Sequence, residues 1–414
     1  MQTSLLDKYK TSDLGQQAES ILRKCVHCGF CLATCPTYDL LGNELDSPRG
    51  RIYQIKQVLE GVEPTEKTQL HLDRCLTCRN CETTCPSGVE YGHLVDAGRA
   101  IVEESVPRSL GQRLLRKSIR TVLPYTNRVK PLIKLGQLFS PLLPESIASH
   151  VPVKQAAGLW PAARHSRKML ILDGCVQPAM APAINAATAR VLDKLKISLI
   201  ACKQAGCCGA LSFHLNAQTD GLDFARANID AWWPEIESGA EAIVTTASGC
   251  GVFVKDYGNL LKDDPVYAEK AARITALCKD ISEVIAAEDI SVLKTENNAE
   301  KPLAFHPPCT LQHGQKLPGK TEALLQNLGF NLVKVKDAHF CCGSAGTYSI
   351  TQKSLSQRLL KRKIGSLLKN KPRTIATANI GCLLHLQSAA GDTPVLHWIQ
   401  LLDDSHALST DIPT

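Results

Sequence analysis

The first clear apolar rhythm along the chain is Ile52, Ile55, Val58 and Leu59, the spacing of one buried face of a helix, and Gly61 stops it. A second short helix is predicted through Leu70 and Leu72 into Cys75. From Ser105 to Pro144 the apolar positions Leu114, Leu115, Ile119, Val122, Leu132, Ile133, Leu135 and Leu138 are interleaved with basic ones, which predicts amphipathic connecting helices. After residue 166 the rhythm changes and the chain repeats itself. "MLILDGCVQP" (169–178) is answered by "LAFHPPCTLQ" (303–312), "QAGCCGALSFHL" (204–215) by "DAHFCCGSAGTYSI" (337–350), and "AIVTTASGCGVF" (242–253) by "TIATANIGCLLH" (374–385). The offsets are regular: 175 to 309 and 207 to 341 are both 134, and 250 to 382 is 132. Each copy reads as an apolar strand ending at a cysteine, then a helix ("ATARVLDKL", "TEALLQNL"). A second strand ("ISLIACKQ", "FNLVKVKD") runs into Cys-Cys-Gly, and another helix leads to a third strand ending in Gly-Cys. Strands alternating with helices predict a parallel sheet, with ligands gathered at the carboxyl ends of the strands.

Composition narrows the context. At 414 residues the chain is too long for one ordinary core. Hydrophobic content of 44% and charged content of 21% are those of a globular protein. No apolar run is long enough to span a membrane, and the N-terminal stretch "MQTSLLDKYKTSDLGQQAES" lacks the pattern of a signal peptide. A cytoplasmic location is therefore expected, where thiols stay reduced. Eighteen cysteines in such a chain point to metal or redox chemistry rather than disulfides.

Charge singles out the connector. Residues 105–144 contain no Asp or Glu but eight basic residues: Arg108, Arg113, Arg116, Lys117, Arg120, Arg128, Lys130 and Lys134. Without them the 47 basic and 40 acidic residues become 39 against 40, so this segment alone makes the chain positive. Such a stretch can lie on an anionic membrane surface, which would put the protein peripherally on the cytoplasmic face of the inner membrane. It can equally be an interdomain helix pair packed on a neighbour, or a docking face for a partner. Nucleic acid is not expected, because no binding module accompanies the charge and aromatics are only 5%.

The cysteines carry the chemistry. "CVHCGFCLATCP" (25–36) and "CLTCRNCETTCP" (75–86) both place thiols at offsets 0, 3, 6 and 10, followed by proline. Three thiols on one tight loop can converge on one cluster, and in two-cluster ferredoxins the fourth cysteine of each run goes to the other cluster. On that pattern Cys25, Cys28, Cys31 and Cys85 hold one [4Fe–4S] centre, and Cys75, Cys78, Cys81 and Cys35 hold the second. Zinc is the alternative, but its sites usually use two separated pairs. His27, inside the first loop, reads as a neighbour of the centre or a surface residue. In the repeat, the strand ends deliver Cys175, Cys207, Cys208 and Cys250 in one half, and Cys309, Cys341, Cys342 and Cys382 in the other. Gly209 and Gly343 relieve crowding where adjacent cysteines must both face inward. The first set can hold a third iron–sulfur cluster and the second a fourth, or each a zinc ion, or nothing. Cys202 and Cys278 fall outside the pattern and read as ordinary thiols.

The paired runs look like the α-helical ferredoxin domain of respiratory iron–sulfur subunits, and the repeat resembles the CCG cysteine-rich domain of the heterodisulfide-reductase family. There the motif usually ends in C-x-x-C, supplying a fifth thiol. Here the endings are Cys250-Gly-Val-Phe253 and Cys382-Leu-Leu-His385, so the fifth thiol is missing and His385 is a candidate ligand, proton donor or packing residue. "DSPRGRIYQIKQVLEG", "LDRCLTCRNCETTCPSG", "GCCGA", "NIDAWWP", "TLQHGQKL" and "CCGSAGTY" are similar to the iron–sulfur subunits of bacterial glycolate oxidases in particular. The resemblance implies an α+β multidomain protein with a ferredoxin-type domain (1–104), basic connecting helices (105–165), and two tandem α/β CCG domains (166–296 and 297–414). It also implies a flavoprotein partner that carries FAD, oxidises glycolate to glyoxylate and passes electrons through this chain to a quinone or another acceptor. The sequence shows no glycine-rich dinucleotide fingerprint and no catalytic nucleophile constellation, so no catalytic residue is expected on this chain. Three alternatives stay open: a subunit of a related lactate or glycerol-3-phosphate dehydrogenase, a reductase acting on a disulfide or quinone through its CCG clusters, and a zinc-binding docking module.

Overall fold

The computed structural model describes residues 1–140, 154–294 and 302–403. The expected boundary between 296 and 297, the end of the basic stretch at Pro144 and the last residues of the second CCG half lie outside the described residues.

The N-terminal part is helical. Its main helices are α1 (Asp13–Lys24), α2 (Pro48–Leu59), α3 (Glu66–Asp73) and α4 (Tyr91–Ser105). Ser47 caps α2 by accepting from Gly50 N–H at 2.9 Å, with Pro48 in the first turn. Ile52, Ile55, Val58 and Leu59 are all buried, as their spacing predicts, against Leu94, Val95 and Ile101 of α4. The two helices approach closely at Gly98, where a Cβ would lie 2.6 Å from Ile55. Helix α3 lies where the second pattern predicts it, with Leu72 buried and Leu70 exposed.

The connector forms a helix pair, α5 (Leu110–Val122) and α6 (Thr126–Phe139). Its charge is divided between two uses. Arg108 makes a two-pronged pair with Asp73 and reaches Glu103, Arg116 pairs with Asp73, and Arg120 with Asp220. Arg113, Lys117, Lys130 and Lys134 are exposed, alongside exposed Leu110, Leu114, Leu132, Leu135 and Leu138.

The repeat gives two parallel sheets. The first half carries β1 (Arg167–Ile171), α7 (Ala183–Lys194), β2 (Ile197–Ala201), α8 (Gln218–Glu237), β3 (Ile243–Thr245), α9 (Ser248–Lys255) and β4 (Cys278–Asp280), with strand order β2-β1-β3-β4. The second carries β5 (Leu303–His306), α10 (Lys320–Asn327), α11 (Lys353–Leu368), β6 (Thr374–Thr377), α12 (Ile380–Gln387) and β7 (Val395–His397), in the order β5-β6-β7. All strand pairs are parallel.

Three local expectations change. "FNLVKVKD" pairs with β5 only through a bridge from Leu303 to Leu332. Phe330, Leu332, Val333 and Val335 pack half-buried against the core, but the segment makes no continuous strand ladder with β5. The third strand of each half stops before Gly-Cys, and Cys250 and Cys382 sit in the first turns of α9 and α12. Strands β4 and β7 are additional; at three residues each they leave no periodic signature. One apolar core runs through both halves, with Ile171 and Val244 of the first packed in the same cluster as Phe305, Ile375 and Trp398 of the second.

Candidate metal centres

The two cysteine runs fold into the same loop. His27 and Gly29 in the first, and Thr77 and Arg79 in the second, occupy equivalent places with φ of 58°, 86°, 51° and 58°. Left-handed residues on either side of the middle cysteine wind the chain tightly enough to turn three thiols inward. Three of the four are not glycine, so the conformation is imposed by surroundings. Arg99 does this for the second loop: it donates to Cys75 O at 2.6 Å and Thr77 Oγ1 at 3.0 Å, while Thr77 N–H donates to Cys75 Sγ at 3.3 Å.

Two cavities result. Cys25, Cys28, Cys31, Cys81 and Cys85 line one, and Cys35, Cys75, Cys78 and Cys81 line the other. Cys85 thus faces the first run and Cys35 the second, while Cys81 borders both. Burial pushes the Cys31 thiol up to about 11. A metal that binds here must displace such protons, which makes loading pH-dependent. Cys28 is exposed between Val26 and Phe30, which are 68% and 62% exposed. His27 lines the first cavity and sets its ring edge-on to Tyr53.

The second run is covered by the second CCG half. Leu76 and Cys78 share an apolar cluster with Cys309, Cys341, Tyr348, Leu355 and Leu359. Tyr348 donates to Arg74 O at 3.2 Å, Asn80 to His339 O at 3.4 Å, and Thr83 Oγ1 lies 3.0 Å from His313 Nδ1.

Within that half Cys309, Cys341, Cys342 and Cys382 are all buried. Hydrogen bonds from Cys309 and Cys342 hold the Cys341 thiol well below its usual pKa. Gly343 N–H also donates to that sulfur at 3.4 Å, and Asn379 donates to Cys382 Sγ at 3.5 Å. The first half repeats the arrangement. Cys175, Cys207, Cys208 and Cys250 interact in sequence through their side chains, and the bond to Cys207, followed by burial, raises Cys175. Gly209 N–H donates to Cys207 Sγ at 3.5 Å. Both glycines after the cysteine pair are left-handed, φ 97° at Gly209 and 94° at Gly343. A Cβ there would lie 2.2 Å from Gly221 O and 2.6 Å from Ser356 O. Asn379 spans the two sets: its Oδ1 accepts from Gly249 N–H, next to Cys250, at 3.4 Å.

Cys202 and Cys278 lie outside all four groups, and burial pushes Cys278 up to about 12. His385 is bonded to Ser356 Oγ at 3.2 Å instead of joining the thiols. The histidine that does join them is His306, whose ring nitrogen lies with Cys342 and Cys382 in a group of ligand atoms all within 4.8 Å. Sequence spacing missed it because it closes the apolar run "LAFH" and belongs to no cysteine rhythm. Sixteen thiols in four groups, with backbone N–H and amide donors on the sulfurs, fit thiolate-bound iron–sulfur centres.

Comparison with known proteins places these segments in two families. Residues 21–89 match the 4Fe-4S dicluster domain family, and residues 169–255 and 303–387 the CCG cysteine-rich domain family. The chain is 54% identical over 98% of its length to the glycolate oxidase iron-sulfur subunit of Escherichia coli (strain K12), covering 99% of that protein. It is 31% identical to a Bacillus subtilis (strain 168) protein named "Probable glycolate oxidase iron-sulfur subunit", over 93% of this chain and 94% of that one. Lactate utilization protein A of Bacillus licheniformis is 24% identical over 54% of this chain and 92% of its own length. With a ferredoxin-type domain ahead of two CCG halves, and with identity sustained from end to end, the chain belongs to the family of glycolate oxidase iron–sulfur subunits.

Proposed function

We propose that this chain is the electron-transfer subunit of a glycolate oxidase complex, working beside a flavoprotein subunit that oxidises glycolate to glyoxylate. The observation that carries the substrate is the 54% identity to the Escherichia coli subunit over nearly the whole chain. The ligand assignment rests on the grouping of the thiols. Cys25, Cys28, Cys31 and Cys85 hold one [4Fe–4S] cluster, and Cys75, Cys78, Cys81 and Cys35 hold the second. Cys175, Cys207, Cys208 and Cys250, and separately Cys309, Cys341, Cys342 and Cys382, hold one further centre in each CCG half. Bound to these thiols, iron–sulfur clusters supply one-electron redox chemistry, which a partner flavin taking an electron pair from the hydroxy acid can feed.

The chain's own residues insulate and orient these centres. Val26 and Phe30 around exposed Cys28 offer an apolar landing site for the flavoprotein. Leu76, Tyr348 and Leu355 exclude water between the second run and Cys341. Lys363, buried with its Nζ donating to Asp337 O at 2.7 Å, offsets thiolate charge in the second half. The exposed basic and apolar face of α5 and α6 holds the complex on the cytoplasmic membrane surface, where quinone accepts the electrons. Among the described residues no helix is long and apolar enough to cross a membrane.

The test is anaerobic purification with and without the flavoprotein partner, followed by iron, sulfide, zinc and flavin analysis. The isolated chain should contain iron and sulfide and fail to oxidise glycolate, and the complex should reduce a quinone from glycolate. Glycolate oxidation by the flavin-free chain would end the subunit reading.

A further inference from the structure

Strand β5 ends in a histidine that nothing polar satisfies. His306 is 1% exposed, and among the described residues neither ring nitrogen has a hydrogen-bond partner. Buried polar atoms are almost always paired, so two orphans on one ring mark a missing ligand more readily than a packing choice. The ring also has a destination. One of its nitrogens, Cys342 Sγ and Cys382 Sγ lie within 4.8 Å of one another, brought together from the end of β5, the Cys-Cys-Gly loop and the first turn of α12. Thr377, the register partner of His306 on β6, is likewise buried with a hydroxyl that has no partner among the described residues. Lys363 and His385 are committed elsewhere: Lys363 donates to Asp337 O and Ala338 O, and His385 is bonded to Ser356.

The first half has no counterpart. Counting back three residues from the leading cysteine reaches His306 from Cys309 but Leu172 from Cys175. Leu172 is buried in its own apolar cluster. The duplicated halves therefore offer different donors: four thiols in the first, four thiols and an imidazole in the second.

We propose that His306 is a metal ligand, so that the second CCG half holds a mixed imidazole–thiolate centre and the first an all-thiolate one. The proposal rests on the reading that these halves bind metal. An imidazole carries no charge where a thiolate carries one, so the second donor set is less negative than it would be with a fifth thiolate at that position. Imidazole ligation raises the reduction potential of an iron–sulfur centre relative to its all-thiolate counterpart.

The test uses the full chain, prepared anaerobically with ¹⁴N- or ¹⁵N-labelled histidine and examined by pulsed electron paramagnetic resonance. A nitrogen coupling that changes with the label is expected in the unsubstituted protein. It should be lost in His306→Leu, which installs the residue of the first half, while the signals of the two ferredoxin-run centres persist. His306→Cys should retain the metal, lack the coupling and shift the potential of that centre downward. Because the label is read in the unsubstituted protein, the result survives any folding defect of the variants. Iron that is lost on Cys382→Ser, with no histidine coupling in the unsubstituted protein, overturns the ligand assignment. Metal content unchanged in Cys382→Ser removes instead the reading beneath it. If the half holds zinc, absorption at the zinc edge decides: a sulfur-only shell overturns the proposal and a nitrogen in the shell sustains it.

Discussion

Arg51 is a full charge at 1% exposure, beside a thiol set that becomes negative when it binds metal. Its Nε donates to His71 O at 2.7 Å, one Nη to Thr37 Oγ1 at 3.2 Å, and the other to Asp46 Oδ1 at 3.4 Å. Asp46 is wholly buried and also receives Arg74 and His71, both at 3.0 Å. Thr37 passes the order on, because its Oγ1 lies 3.3 Å from Cys35 Sγ. Arg51 thus positions the one cysteine that the first run contributes to the second cavity. Removing one member of a buried ion network costs ~3–5 kcal/mol, and Arg74 retains part of the compensation, so the low end applies. Arg51→Met should lower stability by roughly 3 kcal/mol in anaerobic denaturant titration. The signal of the centre proposed at Cys75, Cys78 and Cys81 should go before that of its neighbour. Equal loss from both runs would show that Arg51 supports the domain generally and does not position Cys35.

At the scale of elements, the legible parts are those where one face is buried and the rest exposed. Ile52, Ile55, Val58 and Leu59 announced α2 because all four are buried on one side of it. The seven parallel strands were only partly visible. "FNLVKVKD" has the apolar content of a strand but meets β5 at a single bridge, and β4 is written "CKD", with no apolar alternation. The cysteines of the two runs stand out by their spacing and those of the CCG halves by the repeat, whereas His306 depended on which way the end of β5 faces. The seam between the halves was also hidden, and β7 shows why. His397, at its end, donates from Nε2 to Thr246 O at 2.8 Å and accepts at Nδ1 from Ile399 N–H at 3.2 Å. Only the neutral ring can do both, and burial lowers its pKa from 6.5 to about 4. The unfolded chain therefore binds a proton that the folded one refuses between these values. Stability is complete above 6.5 and is lost as pH falls toward about 4, by on the order of 2–3 kcal/mol. Asp280 opposes it over part of the range, since burial raises its pKa to about 6. His397→Gln should flatten the fall in denaturation midpoint between pH 6.5 and 5; an unaltered slope would assign the acid sensitivity to other groups.

Across the whole molecule the thiol groups form a continuous order. Cys28 is at the surface, Cys81 borders both ferredoxin cavities, Cys78 packs with Cys341, and Asn379 spans from Cys382 to the residue beside Cys250. The connector lies beside this order and touches its far end, where Thr126 donates to Cys175 O at 2.8 Å. Its eight basic residues divide by role. Arg108, Arg116 and Arg120 are held by acids of the neighbouring domains, and Arg128 stacks on Tyr125, so reversing any of them would disturb packing. Arg113, Lys117, Lys130 and Lys134 are exposed beside Leu110, Leu114, Leu132 and Leu135, and they carry the proposed attachment to anionic lipid. Each such charge contributes about 1 kcal/mol near an anionic bilayer, so changing these four to Glu should weaken binding to phosphatidylserine vesicles by roughly a thousandfold or more. Raising the salt concentration should weaken the unsubstituted protein in the same direction, because the Debye length shortens from about 10 Å at 0.1 M to about 3 Å at 1 M. Iron content and the cluster signals should be unchanged, since none of the four residues is an Asp73, Glu103 or Asp220 partner. Vesicle flotation that survives the four substitutions, together with lost capture of the flavoprotein, would move this face from the membrane to the partner subunit.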